Sequence, residues 1–333
     1  MFRDLFKKDK SKNLYKKGFV LFREKKYEES LEFFDKVLEL NPKNIKTLIY
    51  KAFALNALKK YDDALKCCDE YLKNDSNWYR AWGLRCMILF NMERYDEALI
   101  CCDEALKLES HDKIIWSQKG DVLYKLKLFN EALDCYDEAL KLNPEYVPVW
   151  ITKSNILFEL ERYEEALNSI NKALKLDSND PLSWSMKGFI YKAMKKFDDS
   201  LKSFDKALEL DPKDYSTFTS KGNVFAEMKR FKDALDCHNK ALELNPQDYT
   251  TWASKGFVLA DMGRFKESLE CFDESLKLDS QDAYVMYGKG LSLEKLGRSK
   301  EALKSFQKAL KINPDYGDAK TAEKKMLSKI DNI

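Results

Sequence analysis

The chain repeats itself every 34 residues. Trp82, Trp116, Trp150 and Trp184 fall at that interval, Phe218 takes the next position, and Trp252 resumes the series. A fixed period of this length means that one small supersecondary unit recurs and stacks, which constrains the fold more tightly than any composition. Nine units without insertion begin at Ser11, Ile45, Tyr79, Lys113, Val147, Pro181, Tyr215, Tyr249 and Ala283. Positions within a unit are called slots and are counted from those starts.

Slot 4 is Leu14, Leu48, the five tryptophans, Phe218 and Met286. Slot 8 is always small: Gly18, Ala52, Cys86, Gly120, Ser154, Gly188, Gly222, Gly256 and Gly290. Slot 11 is Leu, Tyr or Phe throughout, and slot 20 is Ala or Ser. Slot 24 is mostly large, including Phe34, Tyr136, Phe204, Phe272 and Phe306, and slot 32 is Pro or Ser. Slots 4, 8 and 11 are spaced i, i+4, i+7, one face of a helix, and slots 17, 20, 21, 24, 27 and 28 trace a second such face. Gly inside a helix costs roughly 1 kcal/mol against Ala. Six units accept that at slot 8, so a second helix is expected to cross closely there, at the small slot 20. Each helix is then about 12–14 residues, or roughly 18–21 Å. One pair cannot bury its apolar face alone, so neighbouring pairs stack.

These residues resemble the tetratricopeptide repeat (TPR), whose unit carries Trp, small, aromatic, Ala, Phe and Pro residues at the same offsets. The resemblance covers residues 11–316 and implies an all-α fold, a helix–turn–helix solenoid wound as a right-handed superhelix. The expected units are 11–44, 45–78, 79–112, 113–146, 147–180, 181–214, 215–248, 249–282 and 283–316. A basic, amphipathic segment at 1–10 precedes them, and a solvating, capping helix at 317–333, with Ala319, Ala322, Met326 and Ile330 on one face, follows.

The same resemblance implies a non-catalytic protein-interaction scaffold. In TPR solenoids slots 5, 9 and 12 line the concave groove. Carried onto this chain, the large residues there are Tyr15, Phe19, Phe22, Ile49, Phe53, Met87, Phe90, Tyr124, Phe158, Phe189, Phe257 and Tyr287. Two readings stand side by side: a groove for an apolar or amphipathic peptide or helix, and packing against the neighbouring first helix alone. One family subclass grips the terminal carboxylate of chaperone tails with Lys at slot 5 and Asn at slot 9 of one unit, and no unit here holds that pair. A further departure is slot 7, commonly Leu in the family and basic here in every unit. Slot 25 is acidic in six units, so a structural Lys–Asp ladder is expected rather than a polyanion site.

Charge and residue chemistry exclude other classes. Net charge is +2, from 58 basic and 56 acidic residues, too balanced for non-specific nucleic-acid binding. No apolar run approaches the roughly 18–20 residues of a membrane span, and the start lacks the apolar stretch of a secretory leader, so a cytoplasmic location is expected. Residues 1–26 nevertheless carry ten basic residues against three acids. Phe2, Leu5 and Phe6 there form a small apolar face. That segment is read as a cap on the first unit, with contact to a partner or anionic surface, or simple disorder, as the other outcomes. Self-association, with this segment docked in a neighbour's groove, is the alternative function.

The eight cysteines include no Cys-x-x-Cys pair; five of them, Cys67, Cys101, Cys135, Cys237 and Cys271, fill slot 23. They are expected to be reduced, structural thiols, with no metal and no cofactor. His238 falls on core slot 24 and His111 in an inter-unit turn, and neither belongs to a catalytic set. Acid pairs such as Glu164–Glu165 open second helices, where the helix dipole favours them. No enzyme activity is expected.

Overall fold

The computed structural model describes the backbone of residues 2–331 and the side chains of residues 9–329. Phe2, Leu5, Phe6 and Ile330 therefore lie outside the described side chains. Every regular element among the described residues is an α-helix. In chain order they are α1 (Phe2–Arg23), α2 (Tyr27–Leu40), α3 (Ile45–Ala57), α4 (Tyr61–Asn74), α5 (Tyr79–Asn91), α6 (Tyr95–Leu108), α7 (Lys113–Lys125), α8 (Phe129–Leu142) and α9 (Val147–Glu159). They continue as α10 (Tyr163–Leu176), α11 (Pro181–Ala193), α12 (Phe197–Leu210), α13 (Tyr215–Glu227), α14 (Phe231–Leu244), α15 (Tyr249–Asp261), α16 (Phe265–Leu278), α17 (Ala283–Lys295), α18 (Ser299–Ile312) and α19 (Gly317–Asp331). The chain divides into two compact units, Met1–Ile156 and Leu157–Ile333.

Within each unit a helix packs on its neighbours in sequence, and odd-numbered helices also touch the next odd one: α1, α3, α5 and α7 in the first, α11, α13, α15 and α17 in the second. Contacts this local are the signature of a solenoid, in which each pair buries its apolar face against the next. Among the described residues of the first unit, apolar clusters form around Leu48, Leu55, Cys68 and Tyr71 and around Leu89, Ala98, Cys102 and Val122. In the second unit, clusters gather around Phe204, Phe272 and Phe306.

The turn inside each pair has one geometry. After α1, Lys25 N donates to Phe22 O and Lys26 N to Leu21 O, at 3.0 and 2.9 Å. This crossed pair of bonds caps a helix whose following residue is left-handed. The left-handed residue is Lys25, Lys59, Glu93, Lys127, Glu161, Lys195 and Lys229 in the first seven pairs, with φ between 57° and 61°, and Gly263 and Gly297 in the last two. Only the last two carry the residue best suited to that conformation.

The turn between pairs is fastened by slot 4. Trp116 Nε1 donates to Ser110 O at 2.9 Å, and Trp82, Trp150, Trp184 and Trp252 make the same bond to the carbonyl six residues earlier. Asp112, Asp180, Asp214, Asp248 and Asp282 then cap the next helix by accepting its first amides.

The small slot 8 has two causes. The expected close crossing is present: Ser200 Oγ donates to Gly188 O at 2.7 Å. What occupies the space is the slot 24 ring, since a Cβ on Gly188 would lie 2.5 Å from Phe204 Cε1. Gly120 faces Tyr136, Gly222 faces His238 and Gly256 faces Phe272 in the same way. The irregular Tyr71 repacks against Trp78, ring centroids 5.4 Å apart.

The ends differ from the middle. The N-terminal segment is not folded back: α1 runs unbroken through it to Arg23. Exposed Val20 holds a position that is buried in every later pair, from Ala54 to Ser292. At the other end α19 lies on α18 with Ala319 and Met326 buried, and Lys325 pairs with Glu294 at 3.0 Å. This is the expected solvating last helix.

Candidate functional site

Slot 7 resolves into a ladder of ion pairs. Lys51 meets Asp35 at 2.6 Å, Arg85 meets Asp69 at 2.8 Å, Lys119 meets Asp103 at 2.7 Å and Lys221 meets Asp205 at 2.5 Å; Lys153–Asp137 and Lys289–Asp273 complete it. Each pair ties a first helix to the second helix of the preceding pair. The lysine ammonium sits over the slot 4 ring, with Lys119 Nζ 5.9 Å from the Trp116 centroid. Burial works against the Lys51 ammonium, yet its bond to Asp35 carries its pKa up. The preceding slot 25 is Asn171 for Lys187 and Asn239 for Lys255. Lys187, with no carboxylate there, is held below the ordinary lysine pKa by burial, with Asp199 opposing. Six of these cations are neutralised inside the scaffold, so slot 7 is no continuous anion track.

The candidate groove residues fall into recognisable arrangements. At slot 12, Phe22, Phe90, Tyr124 and Phe158 each rest on the aromatic residue that opens their own second helix, Tyr27, Tyr95, Phe129 and Tyr163, at 5.5–5.8 Å. At slots 9 and 5, Phe189 lies 5.3 Å from Phe204, Phe257 4.9 Å from Phe272 and Tyr287 5.8 Å from Phe306. In the first pair Tyr15 stacks on Phe19, and Tyr15, Phe19 and Phe22 close around Tyr50. Burial, then the neighbouring Tyr50, pushes the Tyr15 hydroxyl up to about 12. Ile49 is buried, Phe53 is 36% exposed, and the other ten are half-buried. Most of these side chains are thus anchored on one face by their own or the next helix pair and open on the other.

One place gathers them into a cavity. Between α5 and α7, a hollow of about 330 Å³ is lined by Cys86, Met87, Phe90, Asn91, Ile114, Ser117, Gln118, Asp121, Val122 and Tyr146. Ile114 is 49% exposed on its rim. The Gln118 Oε1 atom is buried with no hydrogen-bond partner. Asp121 accepts from Tyr136 Oη at 2.7 Å, and burial raises its carboxyl pKa while that bond opposes the rise. The lining is apolar with a few fixed polar groups, the usual make-up of a recognition pocket.

Ile114 belongs to slot 2, which the candidate groove set leaves out. Its equivalents Leu182, 71% exposed, and Tyr284, 58% exposed, are more open than any residue in that set. Tyr284 sits 4.5 Å from Phe257 of the preceding pair, which places slot 2 beside slot 9. The signal was available: slot 2 lies three residues before slot 5, on the same helix face.

Neither histidine lines the cavity. His238 is fully buried, and His111 is exposed beside Ser110 and Glu109. Among the described residues no three His, Cys, Asp or Glu side chains converge as metal donors, and no helix is long and apolar enough to cross a membrane.

Profiles described as Tetratricopeptide repeat match residues 21–88, 79–112, 114–146, 181–214, 215–248, 249–282 and 283–316, and one described as TPR repeat matches 155–195. Comparison with curated proteins returns no match. Among solved structures, a tetratricopeptide repeat protein from Parabacteroides merdae is similar at a TM-score of 0.60 and 15% identity, covering 75% of this chain and 98% of that one. Yeast Tom70 gives 0.53 and 16%, covering 98% and 89%. The Cut9–Hcn1 hetero-tetramer of APC/C gives 0.59 and 16%, covering 90% of this chain and 59% of that one. At these identities the structural likeness speaks for the fold, and the repeat profiles speak for the family. The chain belongs to the tetratricopeptide repeat family, whose fold is a protein–protein interaction scaffold.

Proposed function

We propose that this protein is a non-catalytic scaffold that binds an apolar or amphipathic peptide or helix across its first helices, with the α5–α7 cavity taking an apolar side chain of the partner. The observation that carries this reading is the cavity itself, where Met87, Phe90 and half-exposed Ile114 meet beside the unpartnered Gln118 Oε1. An apolar anchor of the partner fills the hollow. Phe19, Phe22 and Phe53 extend the apolar surface toward the start of the chain. The cytoplasm is the proposed location.

Peptides selected from a random display library against the intact chain test this. Selected sequences are expected to share an apolar anchor and to lose binding at least about tenfold to an Ile114→Asp variant, a loss of ~1.4 kcal/mol. Circular dichroism should show that variant as helical as the parent, because Ile114 is exposed. Peptides that bind Ile114→Asp equally well, or that need only a free terminal carboxylate, would refute the reading.

A further inference from the structure

Slots 8 and 24 face one another, Gly against a ring, from Gly18 and Phe34 to Gly290 and Phe306, and Ala52 and Cys68 belong to one apolar cluster. The α5/α6 pair departs from this, because both slots are cysteine. Cys86 Sγ and Cys102 Sγ lie 2.7 Å apart, joining residues 16 apart in sequence on two antiparallel helices. Two sulfur atoms that are not bonded rest much further apart than this, whereas a disulfide needs only about 2.05 Å. The remaining thiols are placed differently. Cys101, next in sequence to Cys102, is turned toward slot 7, where Arg85 Nη1 donates to its Sγ at 2.9 Å. Cys67, Cys135, Cys237 and Cys271 occupy slot 23 on separate second helices.

We propose that Cys86 and Cys102 are a built-in disulfide site, oxidised by a small-molecule disulfide and reversed by thiols, which locks α5 to α6 beneath the groove cavity. The chemistry closes in two exchanges. One cysteine, as thiolate, attacks a sulfur of R–S–S–R, forming a mixed disulfide and expelling R–S⁻. The second cysteine attacks the protein sulfur of that mixed disulfide, forming the Cys86–Cys102 bond and expelling the second R–S⁻. The two cysteine protons end on the two released thiols. The cysteines lose two electrons and the small disulfide gains them.

Both sulfurs are shielded from bulk solvent, but Cys86 lines the cavity that opens toward the groove. The contact with Cys86, with burial added, pushes the Cys102 thiol far up. Cys102 therefore stays protonated while the helices are closed, and exchange proceeds from transient opening of α5/α6, a motion that local contacts make accessible in a solenoid. Once formed, the bond confines that opening, so the wall of the cavity carrying Met87 and Phe90 is held on its second helix.

The test uses the intact chain exposed to glutathione disulfide, first in buffer and then in mild denaturant that is removed afterwards. Free thiols are alkylated under full denaturation, and the digest is read by mass spectrometry. The expected product is one cross-linked peptide joining Cys86 and Cys102, with the other six cysteines alkylated. Cys101→Ser should keep the cross-link and Cys102→Ser should abolish it. Amides of α5 and α6 should exchange at least about tenfold more slowly in the oxidised chain, and dithiothreitol should restore the reduced rate. A cross-link through any other cysteine, a lasting glutathione adduct at Cys86 or Cys102, eight alkylated thiols under both conditions, or unchanged exchange would each overturn the proposal.

Discussion

His238→Phe should stabilise this protein, and more so in acid. His238 is fully buried opposite Gly222, and neither ring nitrogen has a hydrogen-bond partner. An unmet buried polar group is worth about 1–3 kcal/mol of destabilisation. Phenylalanine already fills the same slot opposite Gly188 and Gly256, with equally close ring-to-glycine approach, so the cavity has the right shape. Burial, with the Lys255 charge added, lowers the imidazole pKa from 6.5 to about 4. Between those two values the unfolded chain binds a proton that the folded chain refuses. The stability present above pH 6.5 therefore falls as pH drops toward 4, by roughly 3 kcal/mol in all. At pH 5 about 2 kcal/mol of it is gone. The variant should gain about 1–3 kcal/mol at pH 7, and that gain should widen by roughly 2 kcal/mol at pH 5. Because a solenoid need not unfold in one step, the assay is hydrogen exchange of α13 and α14 amides, expressed as protection factors at both pH values. Lower protection in the variant, or an identical pH dependence in the two proteins, would show that the imidazole is satisfied in some other way and refute the argument.

Gly188→Ala should destabilise by about 1–3 kcal/mol in spite of better helix propensity, because its Cβ would meet Phe204 at 2.5 Å; local exchange in α11 and α12 checks it. Lys59→Gly should stabilise by about 0.5–1 kcal/mol by relieving a left-handed φ of 59°, read as a higher melting midpoint, whereas Gly263→Ala, at φ +76°, should lower it. Asn171→Asp supplies the missing rung opposite Lys187. It should add up to about 1 kcal/mol at low salt, fade in high salt, and raise the Lys187 pKa in an NMR titration.

The periodic part of this molecule is legible because it is local. Helix limits, the Pro or Ser turn, the small slot 8 and the solvating last helix all follow from residues within one period. The Lys–Asp ladder, with Lys51 on Asp35, was expected from its charges, but other pairings across 16 residues needed the crossing geometry to be seen: Gly with a ring, and Cys86 with Cys102. The turn residue was harder still, since seven pairs put Lys or Glu where the backbone is left-handed and only two put Gly.

The candidate groove is the least legible, for a physical reason. A half-buried aromatic such as Phe90 packs one face on Tyr95 and turns the other toward the α5–α7 cavity. Packing and recognition then select the same residue type at the same slot, so no hydrophobic pattern separates them. Exposure does. Ile114 gains little from packing while 49% exposed, and it is the residue at the rim whose apolar character the scaffold alone does not explain. A substitution there tests the proposed binding apart from folding, whereas one at Phe90 would also disturb the packing on Tyr95.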